Sequence, residues 1–155
     1  YEAFYVVILG SDQGRNLYKK KLISLTEQYH LTNQIKFIDH CEDMALAYHV
    51  SDIVISPSIE PESFGRVAVE SQSMEKLIIA SNIGGSNETI INEKTGFLFE
   101  SGDAKSLSEK IIEAITMDES LIEIIGKEGR KNIIKKFNVE KMCFSTYSEY
   151  IKLIS

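Results

Sequence analysis

The sequence predicts an α/β fold, a doubly wound parallel sheet of the Rossmann-like kind. Strand-sized apolar runs alternate with stretches of helical period along the chain. The connections between them are short and carry turn residues such as Gly10, Pro57 and Gly84-Gly85. The length, 155 residues, suits one domain, and no internal repeat, low-complexity tract or linker interrupts it. Strand–helix alternation of this kind places parallel strands between two helical layers.

The elements follow in order. Phe4 to Leu9 is β-branched, ends at Gly10 and reads as a buried strand. Gly14 to His30 reads as a helix with Leu17, Leu22, Leu25 and Tyr29 as its apolar stripe. Gln34 to Ile38 is a strand, Asp43 to His49 a short helix, and Asp52 to Ser56 a strand stopped by Pro57. Phe64 to Met74 is a helix, Leu77 to Ala80 a strand, and a Gly84-Gly85 loop leads to a helical turn near Glu88. Gly96 to Phe99 is the last strand. Leu107 to Ile115, Glu119 to Lys136 and Val139 to Leu153 are the closing helices.

Composition excludes several classes of function. Hydrophobic residues are 43% and charged residues 26% of the chain, an ordinary globular balance without a membrane-length apolar run. The net charge of −6 argues against nonspecific nucleic-acid binding, which needs Lys and Arg at phosphates. The basic stretches Lys19-Lys20-Lys21 and Arg130-Lys131 to Lys135-Lys136 have two readings. They are solvated helix faces, or a patch that meets anionic lipid heads as a peripheral membrane contact. Cys41 and Cys143 fit no metal spacing, His30, His40 and His49 show no zinc pattern, and no Asp-x-Asp pair occurs, so no metal is expected. With two cysteines and no signal peptide in the sequence, the expected compartment is the cytoplasm, including the inner face of its membrane. Gly10-Ser11-Asp12-Gln13-Gly14 is not the dinucleotide fingerprint of a dehydrogenase.

In a sheet of this type ligands bind beyond the carboxyl ends of the strands. The stretch after Ser56 is therefore the informative one. Ser63 stands where a helix N-cap is expected, which would leave the amides of Phe64, Gly65 and Arg66 without intrahelical partners. Such a helix start carries partial positive charge and accepts a phosphate, and Gly65 lets a ligand come close to the backbone. Glu62 lies just before the helix, and Glu70, eight positions on, lies nearly two turns down it. A carboxylate accepts two hydroxyl donors, so each suits a diol: a sugar at one end of a diphosphate and a ribose at the other. The plain alternative is an acidic helix start with Glu70 as an exposed helix residue. The apolar neighbours Val67, Ala68, Val69 and Met74 instead suggest that Glu70 is partly buried.

This stretch resembles the E-x7-E signature of glycosyltransferase family 4, with Pro57-Ser58 before it and Phe64-Gly65 and Glu70-Ser71 within it. Further blocks resemble the same family: Asp43 to Ser58, Ile79 to Ile90 with its Gly84-Gly85, Asn92 to Phe99 with Gly102-Asp103, and Phe137 to Met142. The resemblance covers roughly the whole chain.

It implies the C-terminal, donor-binding half of a retaining enzyme of the GT-B fold, in which two Rossmann-like domains face across a cleft. By this resemblance Glu62 orients the donor sugar as the candidate catalytic residue. Glu62, Ser63, Phe64, Gly65, Arg66 and Glu70 bind the donor, with Glu70 on the ribose. His40 and Asp43 border the base, and Gly84 and Gly85 line the cleft, although a tight turn explains the two glycines equally well. The expected ligand is a nucleoside-diphosphate sugar, with no metal or other cofactor. The acceptor, a glycan or lipid-linked sugar of the cell envelope such as lipopolysaccharide, would be held by an N-terminal domain absent from this chain. The chain alone is then expected to be an incomplete enzyme.

The sequence also departs from the family pattern. Glu75 and Leu77 stand where the family usually has Gly and Pro, for which a different turn without functional effect is expected. His40 replaces a strand-end Gly beside the base. The Gly-Arg and following Lys that neutralise the leaving diphosphate do not precede Phe4, and Arg15 comes one strand too late to substitute. A sugar epimerase of another GT-B branch fits the motif blocks less well. A noncatalytic Rossmann-like module that binds a nucleotide sugar or a partner remains the alternative from a different class.

Overall fold

The computed structural model describes residues 4–12, 14 and 16–154. The chain divides into two compact units, residues 1–47 and residues 48–155.

The first unit holds β1 (Val6–Leu9), α1 (Asn16–Gln28) and β2 (Ile35–Ile38). β1 and β2 pair in parallel, with Val6 opposite Ile35 and Leu9 opposite Ile38. The expected buried strand and apolar helix stripe are not what this unit contains. Val7 and Ile8 are exposed, as are Leu17, Leu25 and Tyr29 of the stripe, and Thr26 is the buried residue of α1. Two strands about 5 Å apart offer too narrow a surface to cover a helix stripe. Arg15 lies outside the described residues. Lys19, from the first basic stretch, is paired with Asp39.

α2 (Met44–Val50) begins in the first unit and delivers Tyr48 to the second. The second unit contains β3 (Ile53–Ser56), α3 (Arg66–Ser73), β4 (Leu77–Ser81), α4 (Ser86–Thr89), β5 (Phe97–Phe99), α5 (Ala104–Thr116), α6 (Glu119–Lys136) and α7 (Val139–Ile154). Its strands form one parallel sheet in the order β3-β4-β5. Every residue of β4 is buried, and alternation assigns its side chains to opposite faces. Leu77 and Ile79 join Phe97, Phe99, Ala114 and Ile125, with α5 and α6 as cover. Ile78 and Ala80 join Ala68 and Ile90, with α3 and the segment after α4 on that side. This two-faced burial is the α/β architecture that the alternation of elements predicts, and it explains why β4 reads as a continuous apolar run.

Helix ends account for several sequence blocks. The side chain of Asp103 caps α5 by accepting from the amides of Lys105 and Ser106. Asp118 caps α6 in the same way through Ser120, and that hydrogen bonding holds its carboxyl below the ordinary carboxylate range. In the second basic stretch Lys131 pairs with Glu128, and Arg130 reaches the Ser73 carbonyl and Glu75. Among the described residues no helix is long and apolar enough to cross a membrane.

Candidate functional site

The site segment leaves the carboxyl end of β3 at Ser56, bends at Ile59-Glu60, and enters α3 at Arg66. Its first carboxylate is fixed locally, since the Ser58 hydroxyl donates to Glu62 Oε1 at 2.5 Å. The backbone of Glu62 is held from the other side, where the Gly85 amide donates to the Glu62 carbonyl at 2.8 Å. The two glycines after β4 are required by this contact. A Cβ on Gly84 would stand 2.6 Å from the Glu62 carbonyl oxygen, and one on Gly85 would stand 2.5 Å from the Phe64 carbonyl oxygen. Gly84 also has a left-handed φ of 57°. The loop is glycine so that it can press against the Pro61–Phe64 backbone, which accounts for the turn reading of Gly84-Gly85.

The start of α3 corrects the sequence expectation. The N-cap is Gly65, not Ser63, and the cap has no side-chain hydrogen bond. Gly65 adopts φ 74°, ψ 60°, a left-handed conformation that a residue without Cβ reaches at little cost. Its carbonyl receives the amides of Ala68 and Val69. The amides left at the helix start are thus those of Gly65, Arg66 and Val67, one position later than expected, and none of them has an acceptor among the described residues. Ser63 is exposed in the loop, and Phe64 meets Phe137 edge to face at 5.7 Å between ring centroids. Because α3 begins at Arg66, Glu70 lies one turn along it, about 6 Å up the axis, rather than nearly two turns.

Glu70 is partly buried, its side chain 34% exposed, in agreement with its apolar surroundings. Both of its oxygens are occupied. Oε1 accepts from Arg66 Nε at 3.1 Å and Nη2 at 2.8 Å, and Oε2 accepts from the Tyr48 hydroxyl at 2.9 Å. The two partners differ in kind. Arg66 is exposed and sits four residues away on the same helix, an arrangement worth only about 0.3–0.5 kcal/mol. Tyr48 comes from α2 and is 6% exposed. Burial, with the bond to Glu70 second, raises the Tyr48 phenol well above its ordinary range, so it stays a donor.

Sequence reasoning missed Tyr48, whose only trace in the sequence is a tyrosine on a short helix. It also missed Gln72, fully buried one turn below Ala68, whose amide donates to the Ala68 and Thr89 carbonyls. Of the residues assigned to the base, His40 is exposed and Asp43 caps α2 through the Leu46 amide at 2.9 Å. Both belong to the first unit, whereas Glu62 to Glu70 and Gly84-Gly85 belong to the second. Among the described residues no group of three or more His, Cys, Asp or Glu side chains is placed to hold a metal ion.

A family model described as glycosyl transferases group 1 matches residues 1–136. The chain belongs to the group 1 glycosyl transferases. This group 1 chain is 36% identical over 151 residues to the capsular polysaccharide biosynthesis glycosyltransferase CapM of Staphylococcus aureus, covering 95% of this chain and 38% of that protein. It superposes on a glycosyltransferase from Rickettsia africae with a TM-score of 0.93 at 34% identity, covering 98% of this chain and 40% of that one. It also superposes on Anabaena HepE, solved in complex with UDP-glucose, with a TM-score of 0.87 at 25% identity, covering 94% of this chain and 41% of that one. The group 1 chain thus spans less than half the length of these relatives. Their parallel strands flanked by helices are the fold described above.

Proposed function

We propose that this chain is the donor-binding domain of a retaining glycosyltransferase of the family 4 type, and that the whole protein transfers a sugar from a nucleoside diphosphate to an acceptor hydroxyl in the synthesis of an envelope polysaccharide. The observation that carries this reading is the arrangement around α3. Two carboxylates flank a helix start whose Gly65, Arg66 and Val67 amides have no acceptor among the described residues, and the left-handed backbone of Gly65 sets where that helix begins. A diphosphate at those amides would place a sugar on the Glu62 side and a ribose on the Glu70 side. The similarity to the capsular polysaccharide transferase and to HepE, solved with UDP-glucose, supports the same class of donor and product.

The difficult step in such a reaction is departure of the diphosphate from the anomeric carbon. The open amides and the positive end of α3 would stabilise the charge that develops on it. Glu62, held by Ser58, would orient the sugar hydroxyls, and Glu70 would accept from the ribose once the Arg66 guanidinium yields its place.

The test is a thermal-shift and calorimetric screen of the natural full-length protein against UDP, GDP, ADP and their sugar conjugates. A ligand of the native state at about a hundred times its dissociation constant stabilises by about 2.7 kcal/mol, well within reach of the method. One nucleotide and its conjugate should raise the melting temperature, and Glu70→Ala should shrink that shift by half or more at the same ligand concentration. Silence with all three nucleotides would overturn the proposal.

A further inference from the structure

Resting on the reading that Glu70 receives the ribose, we propose that Tyr48 is the positioning residue that sets the Glu70 carboxylate for that contact. A glutamate on a helix surface samples several rotamers, and Arg66, exposed and on the same helix, does not restrain it. Tyr48 does, because it reaches Glu70 from a different element and its ring is buried, so its hydroxyl has a fixed address. The 2.9 Å bond anchors Oε2 on the protein side and leaves Oε1 as the oxygen that faces the exposed guanidinium. Oε1 is then the acceptor offered to a ligand hydroxyl, and Arg66 is a placeholder that a diol displaces at little cost. The carboxylate is thereby ordered before ligand arrives, so binding does not have to order it.

The raised phenol of Tyr48 agrees with this role, since a group that keeps its proton donates to Glu70 throughout the neutral range. A merely structural tyrosine would have its hydroxyl satisfied by any buried acceptor. The distinction is that a positioning residue affects only ligands that use Glu70.

The experiment compares Tyr48→Phe with the parent, in the natural full-length protein, by calorimetry. The probes are the tightest binder among UDP, GDP and ADP and its 2′,3′-dideoxy counterpart. Tyr48→Phe should weaken the ribonucleotide about tenfold, the size of one hydrogen bond to a charged group, and leave the dideoxy nucleotide unchanged. In a Glu70→Ala background the same substitution should change neither. Equal losses for both nucleotides, or a loss that persists without Glu70, would overturn the assignment of Tyr48. A parent protein that does not distinguish ribose from dideoxyribose would instead sink the underlying reading of Glu70. Should Tyr48→Phe fail to fold, Glu70→Asp keeps the charge but draws the carboxylate back from Tyr48, and ribose discrimination that survives intact in that variant would also overturn the proposal.

Discussion

At its carboxyl end α3 is closed. The Lys76 amide donates to the Ser71 carbonyl and the Glu75 amide to the Gln72 carbonyl, each at 3.0 Å, a Schellman pair with Glu75 in the left-handed position at φ 58°. Gly126 of α6 packs directly on the Glu75 carbonyl, where no Cβ would fit, and Gly129 packs on Gln72 and the Thr95 carbonyl. At its amino end the same helix is left open, with the Gly65, Arg66 and Val67 amides lacking acceptors among the described residues. The packing there is equally tight, since Gly84 and Gly85 press on the Pro61–Phe64 backbone. One helix therefore has two well-packed ends: only the amino end leaves backbone amides unpaired among the described residues, while at the carboxyl end the backbone is closed and the side-chain Oε1 of buried Gln72 is unpartnered. Packing alone does not mark a site; packing around unused donors does.

The largest effects should come from breaking both ends at glycine. Gly126→Ala and Gly85→Ala each force backbone apart and should cost about 1–3 kcal/mol in urea unfolding. The two should differ in ligand binding. Gly126→Ala leaves nucleotide affinity of the folded protein unchanged, whereas Gly85→Ala lowers it, because Phe64 and Gly65 move. Equal effects on affinity would erase the contrast between the ends.

Next in size are the two carboxylates. Glu70→Ala should weaken nucleoside diphosphate by about 1.5–3 kcal/mol in calorimetry, the range for hydrogen bonds to a charged group. Glu62→Ala should leave the free nucleotide unaffected and lower the preference for the sugar conjugate over it by about 1.5 kcal/mol. If both variants bind UDP, GDP or ADP as the parent does, the assignment of the open end fails.

A smaller effect sharpens the closed end. Glu75 pays for a conformation that Gly adopts freely, so Glu75→Gly should raise stability by about 1 kcal/mol, less the small loss of its exposed contact with Arg130. A melting temperature that falls would show that the ion pair matters more than the backbone.

The smallest is a pH effect at Tyr48. Its ordinary value is 10.0 and the folded value lies higher, so the folded state holds the proton more tightly than the unfolded one. The corresponding stability is fully present below pH 10 and declines as pH rises above it. Urea titrations should therefore show a steeper alkaline loss for the parent than for Tyr48→Phe. Parallel curves would mean that the phenol is not held as described.

Much of this was legible without coordinates. The strand and helix order was correct along the chain because apolar period is local information, and α6 has the bounds expected of it. Glu62, Gly65 and Glu70 stood out because carboxylates and a glycine at a strand-to-helix junction have a chemical meaning there. Boundaries were less legible. The helix start shifted from Phe64 to Arg66 because left-handed backbone at Gly65 outcompeted a serine cap at Ser63. The left-handed turn at Glu75 was not legible either, since the Schellman bonds and the Gly126 contact impose it on whatever residue stands there. Apolar residues in β1 and α1 read as core but are exposed, because period reports which face is apolar and not what covers it.

By itself, then, the sequence determined the order of elements, the two-faced burial of β4, and the kinds of side chain gathered around the start of α3. These depend on neighbours in the chain, on hydrophobic alternation and on the few residues that tolerate special backbone. Only the tertiary structure decided that the Tyr48 hydroxyl meets Glu70 across 22 residues, that Gly84 and Gly85 brace the segment of Glu62, and that Gln72 is buried. Those are contacts between separate elements, and their geometry exists only once the sheet has brought the elements together.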